Sequence, residues 1–116
     1  MEKLFIKHYD EMCTVYFELD QYSSTGNLAV IMLTDDVIVD ETFHYCTLEV
    51  GALLQPEYAY VDDNIVPGLI DWLEENRLGY RIDGCVCFRS FSAYQLFKFD
   101  MDELLKYTKY DRRKRL

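Results

Sequence analysis

The hydrophobic period of this chain changes after Asp62, Asp63 and Asn64, and that change constrains the fold more than any other feature. Up to residue 62 apolar side chains recur mainly at every second position, and after Asp62, Asp63 and Asn64 they recur at three and four. A period of two belongs to a half-buried strand and a period near 3.6 to a helix lying on a core, so strands come first and the main helix follows. Cys13, Val15, Phe17 and Leu19 alternate with Thr14, Tyr16, Glu18 and Asp20, which predicts a strand with one buried face. Residues 28 to 33 are apolar on both faces, as in a central strand, and the polar stretch 21 to 27 predicts a hairpin between the two. Residues 43 to 50 alternate again, with His44, Cys46, Leu48 and Val50 on one side. Residues 57 to 62 predict a shorter strand, and residues 4 to 9 an edge strand.

The helical stretch places Val66, Leu69, Ile70 and Leu73 on one face with Trp72 at its border. Asp63 or Asn64 is expected to cap it, Pro67 suits its first turn, and Leu78 and Gly79 mark its end, because glycine adopts the left-handed conformation that closes a helix. Residues 80 to 82 and 85 to 91 read as further strand or turn, and residues 94 to 99 as a strand. Asp100 with Glu103 three residues on resembles a capping box and predicts a short helix through Leu104 and Leu105, with the tail as its frayed continuation. The pattern therefore predicts an α+β fold: a single domain over residues 1–108, an antiparallel sheet of about five strands with one main helix packed on a face, and a short C-terminal helix. Residues 109–116 form a basic C-terminal tail.

A chain of 116 residues, half of them hydrophobic, buries roughly two thirds of its unfolded surface without help from disulfides or metal. The first residues lack a long apolar run, so neither a signal peptide nor a membrane span is expected, and the protein is expected in the cytoplasm. Charge is distributed unevenly. The tail carries five positive charges and one negative, which leaves −13 on residues 1–108 out of a net −9 for the chain. A body that acidic attracts basic protein surfaces and repels nucleic acid.

The candidate sites divide by chemistry. Cys85 and Cys87, with Cys13, Cys46, His8 or His44, offer thiolate and imidazole for a soft metal, but one intervening residue is shorter than a zinc knuckle requires. His44 and Cys46 share a strand face without a third orienting group, so a nucleophilic dyad is not expected, nor any metal or cofactor. Pairs such as Asp35 and Asp36, Asp40 and Glu41, and Asp62 and Asp63 lack calcium-loop spacing. Gathered on one side of a sheet with Glu18, Asp20 and Glu49, they make a row of negative charge resembling a nucleic-acid backbone. The partner-binding set is therefore Asp35, Asp36, Asp40, Glu41, Asp62 and Asp63 as charged contacts, with Tyr58 and Tyr60 as aromatic anchors. Arg112, Arg113, Lys114 and Arg115 offer a short phosphate-binding tail as an alternative. A metal- or thiol-dependent protein built on Cys46, His44, Cys85 and Cys87 is the remaining one.

Five segments carry a family resemblance: Gly26-Asn27-Leu28-Ala29-Val30, Thr47-Leu48-Glu49-Val50, Glu57-Tyr58-Ala59-Tyr60-Val61-Asp62-Asp63-Asn64, Trp72-Leu73-Glu74-Glu75-Asn76-Arg77-Leu78-Gly79 and Tyr94-Gln95-Leu96-Phe97-Lys98-Phe99-Asp100. In these the chain resembles a family of small domain-of-unknown-function proteins carried by phages and conjugative elements of gut bacteria. The resemblance spans about residues 26 to 100, so the segment before Gly26 and the basic tail fall outside it. Arg77 departs from it, standing where the family more often has Gly, and residues 85 to 92 differ most. A small acidic mobile-element protein is similar to inhibitors of host defence, anti-CRISPR proteins in particular, which occupy the basic groove of a Cas nuclease in place of DNA. The resemblance thus implies a non-enzymatic DNA mimic acting in a bacterial host cell.

Overall fold

The structure, a computed structural model, describes residues 3–8, 11–35, 42–64 and 66–113. In chain order the described elements are β1 (Leu4–His8), β2 (Glu11–Gln21), β3 (Leu28–Asp35), β4 (Thr42–Tyr45), β5 (Thr47–Leu48), β6 (Tyr58–Val61), α1 (Leu69–Glu75), β7 (Gly79–Arg89), β8 (Ser92–Phe99), α2 (Met101–Leu105) and β9 (Thr108–Asp111). They make two sheets, not the single sheet of about five strands that the alternation predicts. The first runs β1-β2-β3-β4 with β9 also on β2, and the second runs β5-β6-β8-β7. All pairs are antiparallel except β9, which lies parallel to β2 opposite Phe17, Glu18 and Leu19, beside the half that β1 leaves open.

The second sheet arises because the alternating segment 43 to 50 breaks at Cys46. Its N–H donates to the Val30 carbonyl at 2.9 Å, while its own carbonyl accepts from the Asp62 N–H at 2.8 Å. Thr47 turns inward, and its Oγ1 accepts from the Val30 N–H at 3.1 Å. The chain thereby changes partner from β3 to β6, and one alternating run serves two sheets. Between the sheets lies the core. Phe17, Leu19, Val30 and Met32 from the first sheet meet Ala59, Val61, Phe97 and Phe99 from the second, with Leu69, Leu73 and Leu104 of the two helices. Burying each large side chain contributes roughly 1.5–3 kcal/mol before entropy is charged against it. Trp72 fixes α1 to the edge strand, its indole N–H donating to the Phe5 carbonyl at 2.9 Å.

α1 is shorter than the helical period suggests. Asp62 Oδ1 accepts from the Asn64 N–H at 3.0 Å, forming a turn before the helix and not a cap, and the N-cap position falls to Gly68. At the other end Arg77 takes the left-handed conformation, φ 61°, and the Leu78 N–H reaches back to the Leu73 carbonyl at 2.9 Å. The helix is thus closed by Arg77, not by Gly79. Gly79 serves a different purpose: a Cβ there would sit 2.1 Å from the Lys98 carbonyl oxygen, so glycine permits the β7–β8 approach. Half of the capping box forms: Asp100 Oδ1 accepts from the Glu103 N–H at 3.2 Å, while the Asp100 N–H donates to the Leu78 carbonyl and the Glu103 carboxylate pairs with Lys106. The expected frayed helical tail does not form: residues 108 to 111 are extended because β2 offers them an unpaired edge. No helix among the described residues is long and apolar enough to cross a membrane.

Candidate functional site

Strand alternation on β6 sends Ala59 and Val61 into the core and leaves Tyr58 and Tyr60, half-buried, on the opposite face of the second sheet. Cross-strand register then assembles neighbours that the local sequence does not announce. Tyr58 stands opposite Lys98, Lys98 opposite Tyr80, and Tyr60 lies between Leu48 and Leu96. The Lys98 Nζ lies 5.9 Å from the Tyr58 ring centroid and 6.0 Å from that of Tyr80, with a Glu57 carboxylate oxygen at 3.9 Å. Tyr80, Tyr58 and Glu57 together raise the affinity of this ammonium for its proton. Tyr80 itself is half-exposed, so the row ends in an open aromatic ring.

Beside this row a cleft of about 500 Å³ is lined by Glu57, Glu74, Asp100 and Asp102, with the cations Arg77 and Lys98. Glu74 is already engaged. Its carboxylate accepts from the Arg81 Nε at 2.9 Å and from the Arg81 backbone N–H at 3.0 Å, which holds it below the usual carboxylate range. Arg81 also pairs with Asp71.

The predicted contacts are only partly brought together. Tyr58, Tyr60, Asp62 and Asp63 follow one another along β6 and its exit turn, with both carboxylates half-exposed. Asp35 ends β3 in the other sheet, opposite Thr14. Asp36, Asp40 and Glu41 lie outside the described residues. Glu18 and Glu49, expected in the same acidic row, are turned to internal use. Glu18 pairs with Arg112. Glu49 accepts from Ser24 Oγ, Thr25 Oγ1, Asn27 Nδ2 and the Gly51 N–H, tying the β2–β3 turn to the loop before β6. Partial burial pulls the Glu49 pKa up, yet these four bonds outweigh it and the carboxyl is held below its ordinary value.

The tail is folded back as well. Arg112 donates its backbone N–H to the Leu19 carbonyl at 2.8 Å, and Arg113 forms a two-pronged pair with Asp111, both contacts at 2.9 Å. Lys114 and Arg115 lie outside the described residues, as do the side chains of His8 and His44. Cys46 is fully buried and its thiol is pushed up to about 12 by that burial, so it holds its proton at neutral pH. Cys13, Cys85 and Cys87 are half-buried and outside any disulfide, and no group of three or more metal-ligating side chains occurs among the described residues.

Sequence reasoning passed over Tyr80, Lys98 and the tip of the β7–β8 hairpin. Phe91 is fully exposed there and Phe88 is 80 % exposed. The signal for the tip lay in the sequence, since Ser90 and Phe91 separate two strand-like runs by two residues; the signal for Tyr80 and Lys98 did not, since it depends on register.

Fold and site together define a small protein of two packed sheets whose second sheet presents an aromatic face bordered by carboxylates. The chain belongs to the family described as Domain of unknown function (DUF4313), whose model matches residues 16–114. The match begins within β2 and extends past β9, so the second half of β2 and all of β9 lie inside it, beyond the span of residues 26 to 100 drawn from the segments above. No curated protein and no solved structure is significantly similar to the chain.

Proposed function

We propose that the chain is a non-enzymatic binding protein of a mobile element that docks the outer face of its second sheet on a basic protein surface and excludes nucleic acid from it, the particular case being an anti-CRISPR inhibitor of a Cas nuclease. One observation carries this reading: Tyr58, Tyr60 and Tyr80 share one sheet face, with Glu57 at one end of β6 and Asp62 and Asp63 at the other, in a chain of net charge −9. Tyrosine offers large contact area at low entropic cost, and the surrounding carboxylates favour a Lys- or Arg-lined surface and speed encounter with it. The rival reading, nucleic-acid binding through the tail, has less support, because Arg112 and Arg113 already answer Glu18 and Asp111. A thiol-dependent activity has less support as well, because burial keeps the Cys46 thiol protonated at neutral pH.

The test is inhibition of a guide-loaded Cas nuclease cleaving its target DNA. The parent chain should inhibit, and inhibition should weaken as salt rises. Reversing Glu57 and Asp63 together to Lys should weaken inhibition by at least about tenfold, while lowering stability by only about 1 kcal/mol, the scale of losing the surface Glu57–Lys98 pair. A second variant carries Ala at Asp35, Asp36, Asp40 and Glu41. Loss of inhibition in that variant alone moves the contact to the first sheet, and absence of inhibition by the parent removes the Cas assignment.

A further inference from the structure

The β7–β8 hairpin extends the same sheet beyond the tyrosine face and ends in aromatic side chains. Its strands pair Val86 with Gln95, Cys87 with Tyr94, Phe88 with Ala93 and Arg89 with Ser92. Ser90 and Phe91 form the two-residue turn, both left-handed, with φ 51° and 67°. Such a turn prefers Asn, Asp or Gly, since a side chain in this conformation costs about 1–2 kcal/mol. Phenylalanine there is a conflict between residue and backbone, and the fold gains nothing from it, because the ring is fully exposed. Conflicts of this kind concentrate at binding sites, where a contact outside the fold compensates the strain.

The hairpin is also braced. A bulge interrupts its ladder between Arg81 and Val86, and Gln95 Nε2 holds that bulge by donating to the Ile82 carbonyl at 2.6 Å and the Cys85 carbonyl at 3.2 Å. The Arg89 guanidinium donates to the Val50 carbonyl, joining the arm to the loop after β5. A pre-ordered arm loses little entropy on binding.

Charge selects the occupant. With a net −9, the chain is repelled by anionic lipid headgroups and by nucleic acid, and a second copy carries the same charge. A protein surface with a positive border remains. We propose that the hairpin is a wedge whose Phe91 and Phe88 enter an apolar pocket, bordered by Lys or Arg, on the same partner that the tyrosine face engages; the partner's charge rests on that sheet-face reading. Buried aromatic tips of this size dominate the affinity of the interfaces that contain them.

The experiment places p-benzoylphenylalanine at position 91, or separately at position 60, in cells carrying the chain, and identifies the light-induced adducts by mass spectrometry. Expected is capture of one protein from both positions, with the peptide joined at position 91 apolar and flanked by Lys or Arg. Purified F91N should bind that protein at least about tenfold more weakly while melting no lower than the parent, since Asn suits the turn. F91N binding at parental affinity overturns the wedge. So does an adduct at 91 with lipid, nucleic acid or a second copy only, or no adduct at 91 while position 60 still captures a protein. Capture at 91 without capture at 60, accompanied by the loss of affinity in F91N, removes the sheet-face reading and leaves the hairpin as the anchor.

Discussion

Arg77 and Glu49 show how single residues set the boundaries of this fold. Arg77 occupies a left-handed position that closes α1, where glycine pays no Cβ penalty. Arg77→Gly should therefore stabilise the protein by about 0.5–1 kcal/mol, offset in part by the greater freedom of glycine in the unfolded chain, as read by the urea midpoint. Glu49 acts through hydrogen bonding. Its folded pKa lies below its unfolded value, so its stabilisation is fully present above the unfolded value and is lost as pH falls through the folded one. Glu49→Gln should be less stable than the parent at neutral pH, and the difference should shrink as pH is lowered below about 4, the ordinary carboxylate range. Thermal melts of both proteins across that range check it; a constant difference would contradict the assignment.

At the scale of elements, the sequence revealed faces better than partners. The β2–β3 hairpin and the capping of α2 by Asp100 follow from local chemistry, and both are present. The break at Cys46 was hidden because an alternating run looks the same whether it stays in one sheet or crosses to another. β9 was hidden for a related reason: residues 108 to 111 have weak local preference, and an available edge on β2 decides their conformation. That edge is closed by the Phe17 N–H donating to the Tyr107 carbonyl and the Arg112 N–H donating to the Leu19 carbonyl, each at 2.8 Å. Deleting residues 108–116, which removes the Arg112 bond and the β9 pairing but keeps Tyr107, should cost about 2 kcal/mol and should speed hydrogen exchange along β2 more than along β6. Uniform acceleration would mean that β9 supports the whole fold and not one edge. The candidate site was legible to the same degree. Tyr58 and Tyr60 were visible as an outward pair, whereas Tyr80 and Lys98 joined them only through register.

For the whole molecule, the period of the apolar residues and the net charge of −9 are properties of the sequence itself. They determine that strands dominate the first half and that the chain as a whole is anionic, because side-chain direction and total charge are set locally and by summation. The tertiary structure decided which side chains share a face. Two sheets close on one core, and their closure turns Glu18, Glu49, Arg112 and Arg113 to internal bonds while setting Tyr58, Lys98 and Tyr80 in one row. The physical reason is that local period fixes the side on which a residue lies, whereas its neighbour across a sheet is chosen by whichever long-range pairing buries the most apolar surface and leaves the fewest backbone groups unpaired.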